Sequence, residues 1–152
     1  LLAQSPGPHG VVVTGKAGDL AFRQQIQEHR LARPASFAVH EAGIDLLSVL
    51  NYVGPTKGTV LIDSLDFWLF ALWEQYSDTA MHNAACESLY EGLATWHGAS
   101  LIFVSTEMGL GPLPASGQAR SFARALGRIN QKIASISEKV YAVIAGLPLQ
   151  LK

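Results

Sequence analysis

The feature that most restricts this chain is its alternation of short β-branched runs with stretches of helical period. Gly10–Thr14 (GVVVT), Thr59–Asp63 (TVLID), Ser100–Ser105 (SLIFVS) and Val140–Ala145 (VYAVIA) each read as a buried strand. Helical patterns lie between them. One runs from an N-cap at Asp19 to about Leu31, and a second from Glu41 to about Asn51 after a short extended piece, Ser36–His40. A third covers Ser64–Tyr76. A fourth starts at Asp78, repeats through Ala85, Leu89 and Trp96, and stops at Gly98; a fifth covers Ser116–Glu138. Such alternation predicts an α/β domain with a mostly parallel sheet flanked by helices. Ligands of such sheets bind outside the carboxyl ends of the strands. Thr14, Asp63 and Glu107 stand at or just beyond three of those ends.

Composition narrows the function classes. A chain of 152 residues suits one domain with a real core. A formal net charge of −1 gives no overall basicity for a nucleic-acid partner. Cys86 is the only cysteine, which excludes a disulfide framework and a thiolate metal site and points to a reducing, cytoplasmic compartment. No apolar run is long enough for a membrane span; the best candidate, Val60–Trp73, contains Asp63 and Asp66. The opening LLAQSPGPHG lacks the basic start and apolar run of a signal peptide. Ser64–Tyr76 is apolar on nearly every side, so that helix is buried deeply or lies on a subunit interface.

Gly10–Ala17 (GVVVTGKA) nearly fits the phosphate-loop pattern, but its intervening VVVT is a strand rather than an open loop of N–H donors, and Ala17 lacks the hydroxyl for Mg²⁺. No G-x-S-x-G elbow is present. His29, His40, His82 and His97 have no recognisable metal-ligand spacing. Arg120, Arg124 and Arg128 line one helix face and read as solvated. The richest stretch is Gln25–Pro34 (QIQEHRLARP). Phe22, Ile26 and His29 share a helix face, and Pro34 pushes Arg33 out of the helical region. An imidazole and two guanidiniums, Arg30 and Arg33, thus meet at a helix end. Imidazole can attack phosphorus, and arginine matches phosphate oxygens with a planar fork.

These residues resemble the bifunctional adenosylcobinamide kinase/adenosylcobinamide-phosphate guanylyltransferase family of cobalamin biosynthesis, over about Leu1–Lys152. The resemblance is carried by QIQEHRLARP with Glu41 following, and by Asp63 with Trp68 in the next helix. It is strongest in EMGLGPLP, RSFARALGRINQKIA and VYAVIAGLPL, where Glu107, Gly109, Gly111, Pro114, Arg120, Phe122, Gly127, Arg128, Asn130 and Gln131 fit the family pattern. It implies a P-loop NTPase/RecA-like fold in which His29 attacks the α-phosphate of GTP. The enzyme then holds GMP as a phosphoramidate and passes it to adenosylcobinamide phosphate. Thr14, Gly15, Arg30, Arg33, Glu41 and Asp63 would line the nucleotide site, with Asp63 holding Mg²⁺ directly or through water. ATP would serve as a further phosphate donor, adenosylcobinamide or its phosphate as acceptor, and the assembly would be a homotrimer.

Departures from the family pattern are Ala21 and Phe22, Ala71, and Ser64 and Asp66. The resemblance also places the family's first strand and phosphate loop before Leu1, with Leu1–Gly10 matching the end of the helix that follows. The chain is therefore expected to be a single α/β nucleotide-binding domain over residues 1–152 lacking that start, and not to phosphorylate adenosylcobinamide by itself. A non-catalytic nucleotide- or corrinoid-binding relative, or an assembly subunit, is the rival reading.

Overall fold

In a computed structural model the described residues are 2–15, 34, 36–54 and 58–152. They divide into two compact units, residues 1–106 and 107–152.

The first unit is built on a parallel sheet. Strands β1 (His9–Val13), β2 (Ala38–Glu41), β3 (Thr59–Asp63) and β4 (Ser100–Phe103) run in the order β2-β1-β3-β4, and every neighbouring pair is parallel. The mostly parallel α/β architecture read from the alternation is what the chain forms. Val11, Val12, Val60 and Ile62 are buried at the centre of this sheet. The turn into β3 needs Gly58: its φ is +150°, and a Cβ there would lie 2.2 Å from the Pro8 carbonyl oxygen. That close approach lets the Thr59 N–H donate to Pro8 O at 3.0 Å.

Helices pack around the sheet. Helix α1 (Leu46–Val53) is capped by Asp45, whose side chain accepts from the Ser48 N–H, and it buries Leu46 and Leu50. Helix α2 (Leu65–Gln75) buries Leu65, Trp68, Leu69, Ala71 and Leu72, and leaves Phe67 and Phe70 exposed. Its apolar excess is thus largely answered within the chain. Helix α3 (Thr79–Ala94) starts at its Asp78 cap and buries His82 and Leu89. Among the described residues no helix is long and apolar enough to cross a membrane.

Three boundaries differ from the sequence expectation, each for a local reason. Glu41 does not open a helix. It ends β2, paired with Val13, and the Ala42 N–H donates to Val13 O at 3.0 Å before a turn through Gly43, φ +48°. Ladder hydrogen bonds with β1 outweigh the helical propensity of that glutamate. Helix α3 stops at Ala94, so Trp96 is not on its face. Instead the Trp96 indole N–H donates to Ala99 O at 2.8 Å, beside Gly54, where no Cβ would fit. The expected helix from Asp19 to Leu31 lies outside the described residues.

The third difference concerns the second unit. Val140–Ala145 is not a fourth parallel strand; the extended piece at β2 supplies that strand. Strands β5 (Tyr141–Ile144) and β6 (Leu147–Gln150) form an antiparallel hairpin. Its two-residue turn is Ala145 and Gly146, with φ of 52° and 79°, the left-handed pair that matches the twist of a tight hairpin. Helix α4 (Gly117–Ile136) is capped by Ser116, which accepts from the Ala119 N–H. It buries Leu126, Ile129 and Ile133 of the expected stripe, while Ile136 is exposed. Arg120 is not a solvated charge: its Nη1 donates to Pro114 O at 2.9 Å and Ala115 O at 2.7 Å, closing the glycine- and proline-rich loop onto the helix. Arg124 and Arg128 are exposed as expected.

Candidate functional site

Strand register carries carboxylates to one edge of the sheet. Val13, the last residue of β1, pairs with Glu41 on one side and Asp63 on the other. Partners in a parallel ladder project to the same face, so Glu41 and Asp63 flank β1 in one row. Their backbones stand two strand spacings apart, on the order of 10 Å. Asp63 is half-buried and Glu41 exposed. Gly15, half-buried, follows Thr14 just past the end of β1.

Thr14 is brought to the same edge but turned inward, 1% exposed. Its hydroxyl donates to Ser64 O at 2.6 Å and accepts from the Ser64 N–H at 2.9 Å, while its own N–H donates to Asp63 O at 3.1 Å. Thr14 therefore fixes the peptide on the C-terminal side of Asp63. Thr14→Val keeps the shape but leaves the buried Ser64 N–H without its acceptor, while Ser64 O keeps only the Trp68 N–H at 3.1 Å. We expect it to lower unfolding stability by roughly 1–3 kcal/mol, with Thr14→Ser restoring most of it. Urea unfolding checks this, and a Val variant as stable as the parent would show that the clamp carries no weight.

The neighbouring polar chain was visible in the sequence only as departures from a pattern. The Ser64 hydroxyl donates to Asp66 Oδ1, and the Thr106 hydroxyl donates to Asp66 Oδ2 at 3.0 Å. A hydroxyl followed two residues later by a carboxylate, just after a strand, is the signal that could have marked this link. Leu65 N–H also donates to Val104 O at 2.9 Å, so the ends of β3 and β4 are held together.

Other sequence candidates fall elsewhere. Glu107 is in the second unit, where its Oε1 accepts from the Gly109 N–H at 2.8 Å and caps the turn Met108–Leu110. Within GVVVTGKA, residues Gly10–Val13 are strand, as their β-branched character required, and cannot form a loop of open N–H donors. His82 is a packing residue, stacked on Trp73 at 5.4 Å with Nε2 2.8 Å from Tyr76 O. His29, Arg30 and Arg33 lie outside the described residues. Among the described residues no three His, Cys, Asp or Glu side chains converge on a metal position.

The sequence is similar to known proteins. A family model described as cobinamide kinase / cobinamide phosphate guanyltransferase matches residues 1–151. The bifunctional adenosylcobalamin biosynthesis protein CobP of Pseudomonas aeruginosa is 33% identical over 152 residues, covering 100% of this chain and 87% of that protein. The bifunctional adenosylcobalamin biosynthesis protein CobU of Salmonella typhimurium is 26% identical over 152 residues, covering 93% of this chain and 84% of its own length. Its counterpart from Escherichia coli is 24% identical over 153 residues.

Proposed function

Since the chain belongs to the cobinamide kinase / cobinamide phosphate guanyltransferase family, we propose that it transfers the guanylyl group of GTP to adenosylcobinamide phosphate through a GMP adduct on His29. The observation that carries this reading is the row Glu41–Val13–Asp63 at the carboxyl edge of a parallel sheet, where α/β folds bind nucleotides. In the first step the unprotonated imidazole nitrogen of His29 attacks the α-phosphorus. The bond to the β-phosphate oxygen breaks, and pyrophosphate departs with that electron pair. In the second step a phosphate oxygen of adenosylcobinamide phosphate attacks the same phosphorus, and the N–P electrons return to the imidazole. Arg30 and Arg33 neutralise charge gathering on the phosphate oxygens. Thr14 acts through the backbone it clamps, and Gly15 and Glu41 line the nucleotide.

Asp63 suits magnesium, which takes one or two carboxylates and fills its remaining positions with waters and substrate phosphates. Asp63 would hold the ion directly or through water, and when bound the ion supplies charge neutralisation at the phosphates. The family is named for a cobinamide kinase activity as well; in this reading ATP or GTP would be its donor, and the GVVVTGKA stretch is not the cradle for it.

Incubation with GTP and Mg²⁺ followed by intact-mass measurement tests the proposal. The expected result is a gain of one GMP with release of pyrophosphate. A chain that binds GTP yet keeps its own mass would overturn it.

The reading includes a homotrimer acting in the cytoplasm. On the β5–β6 hairpin Ile144, Leu147 and Leu149 expose large apolar groups on one face and Tyr141 and Val143 on the other, with Leu151 just beyond, more than α2 leaves uncovered. Light scattering at micromolar concentration is expected to report an oligomer, with Val143→Asp shifting it toward monomer. A monomeric parent would count against this assembly.

A further inference from the structure

Asp66 ties together the chain segments that leave β3 and β4. It stands in the first turn of α2. Its Oδ1 accepts from the Ser64 hydroxyl, just past β3, and its Oδ2 accepts from the Thr106 hydroxyl, just past β4, at 3.0 Å. A carboxylate has no proton to give, so both hydroxyls must donate and the direction of each is set. An acidic residue in a first turn needs no partner, because the helix dipole already favours it. The dipole does not explain what Ser64 does. Ser64 is at the N-cap of α2 yet makes no side-chain bond to the helix, the bond that a serine there ordinarily supplies. Its hydroxyl is given to Asp66 instead.

These bonds continue the Thr14 clamp. Thr14 grips the Ser64 peptide, the Ser64 hydroxyl binds Asp66, and Asp66 binds Thr106. The order β1-β3-β4 puts Thr14 on one side of β3 and Thr106 on the other. Asp63 is the last residue of β3 and directly precedes Ser64. Thr14 thus fixes the backbone at Asp63 from the β1 side, and Asp66 fixes it from the β4 side through Ser64. Ser64 is 5% exposed, so little water competes for its bonds. Ser64 and Asp66 are both departures from the family pattern, so the carboxylate in this link is the chain's own.

We propose that Asp66 is a positioning residue for Asp63: through the Ser64 hydroxyl it holds the backbone that aims the Asp63 carboxylate at magnesium and the nucleotide phosphates. The assignment rests on the guanylyl-transfer reading and adds to it a residue that touches neither metal nor nucleotide. What the site uses is the pair of acceptor oxygens of Asp66, not its charge.

The test is calorimetric titration of the full chain with GTP, with and without Mg²⁺, and the readout is the gain in affinity that the ion brings. In Asp66→Ala that gain should fall about tenfold, the lower end of the loss when a group orienting a metal ligand is removed. Metal-free GTP binding should stay at the parent's value. Inorganic tripolyphosphate, a base-free probe, should lose the same gain. Asp66→Asn should keep most of it, since the amide oxygen still accepts one hydroxyl and the other hydroxyl can turn to accept from the amide N–H. Thr106→Val leaves the carboxylate, removes one donor, and should lose part of the gain. In an Asp63→Ala background Asp66→Ala should remove nothing more, because the residue it acts through is gone. The parent's gain in Asp66→Ala would overturn the assignment, as would a loss confined to GTP. An Asn variant as weak as Ala would make charge responsible rather than placement, and losses that add in the double variant would make the effect general; either sinks the proposal. Should urea unfolding show that Asp66→Ala does not fold, Thr106→Val decides, and the parent's gain there overturns it. A parent that gains nothing from Mg²⁺ also overturns the role of Asp66, whereas the guanylyl-transfer reading falls only if the parent forms no GMP adduct.

Discussion

Replacing His29 with Ala is expected to abolish the GMP adduct altogether. A covalent intermediate requires a nucleophile, and removing it removes the first chemical step rather than slowing it. Imidazole is the suitable group at neutral pH because its ordinary pKa leaves much of it unprotonated. The bond to phosphorus should be labile in acid and fairly stable in base, as expected of a phosphoramidate, which separates it from a serine ester. Arg33→Ala provides the contrast. It removes charge stabilisation but not the nucleophile, so the adduct should still form, at a rate lower by roughly 10²–10³. Labelled GTP, gel autoradiography and acid treatment read all three chains. Label that persists on His29→Ala would move the nucleophile to another residue. Arg33→Ala with the parent's rate would remove the guanidinium from the site.

How far such a site can be seen without coordinates depends on which interaction decides each residue's place. The parallel sheet was legible because β-branched runs separated by helical periods have few other solutions. Asp63 was legible as a strand end for the same reason. Resemblance alone gives Glu41 its nucleotide role, and its local sequence reads as a helix start. Only pairing with Val13, a long-range contact, makes it strand. Arg120 shows the same limit: helical spacing put it on a polar stripe, and only the folded loop supplies the carbonyls it binds. The VYAVIAGLPL hairpin was hidden because Ala-Gly is a weak turn signal beside Asn-Gly, so the run read as a single strand. The inward turn of the Thr14 hydroxyl depends on a partner fifty residues away, Ser64, and no periodicity encodes that.

Trp68→Ala is expected to lower the free energy of unfolding by about 3–5 kcal/mol, the usual cost of emptying a buried aromatic site. Trp68 is 1% exposed and among the largest fully buried side chains described. It also does something a leucine could not. Its indole N–H donates to Ile44 O at 2.9 Å. Trp68 stands on α2, one turn after Asp63, whereas Ile44 lies in the turn between Glu41 and α1. One side chain thus links the segment after Asp63 to the segment after Glu41, the two carboxylates that flank β1. Trp68→Phe separates packing from linkage. It keeps much of the ring but leaves the Ile44 carbonyl without its donor, for an expected loss of roughly 1–3 kcal/mol. Urea midpoints at unchanged slope measure both variants. The functional consequence is specific: under conditions where the Phe variant is fully folded, its GTP affinity should still fall, because the loop carrying Glu41 is no longer held to α2. Tripolyphosphate affinity should fall less, since the end of β1 and the Thr14 clamp are untouched. A Phe variant that loses stability but binds GTP as the parent does would restrict Trp68 to the core. One that keeps both would show that Ile44 needs no donor from the indole.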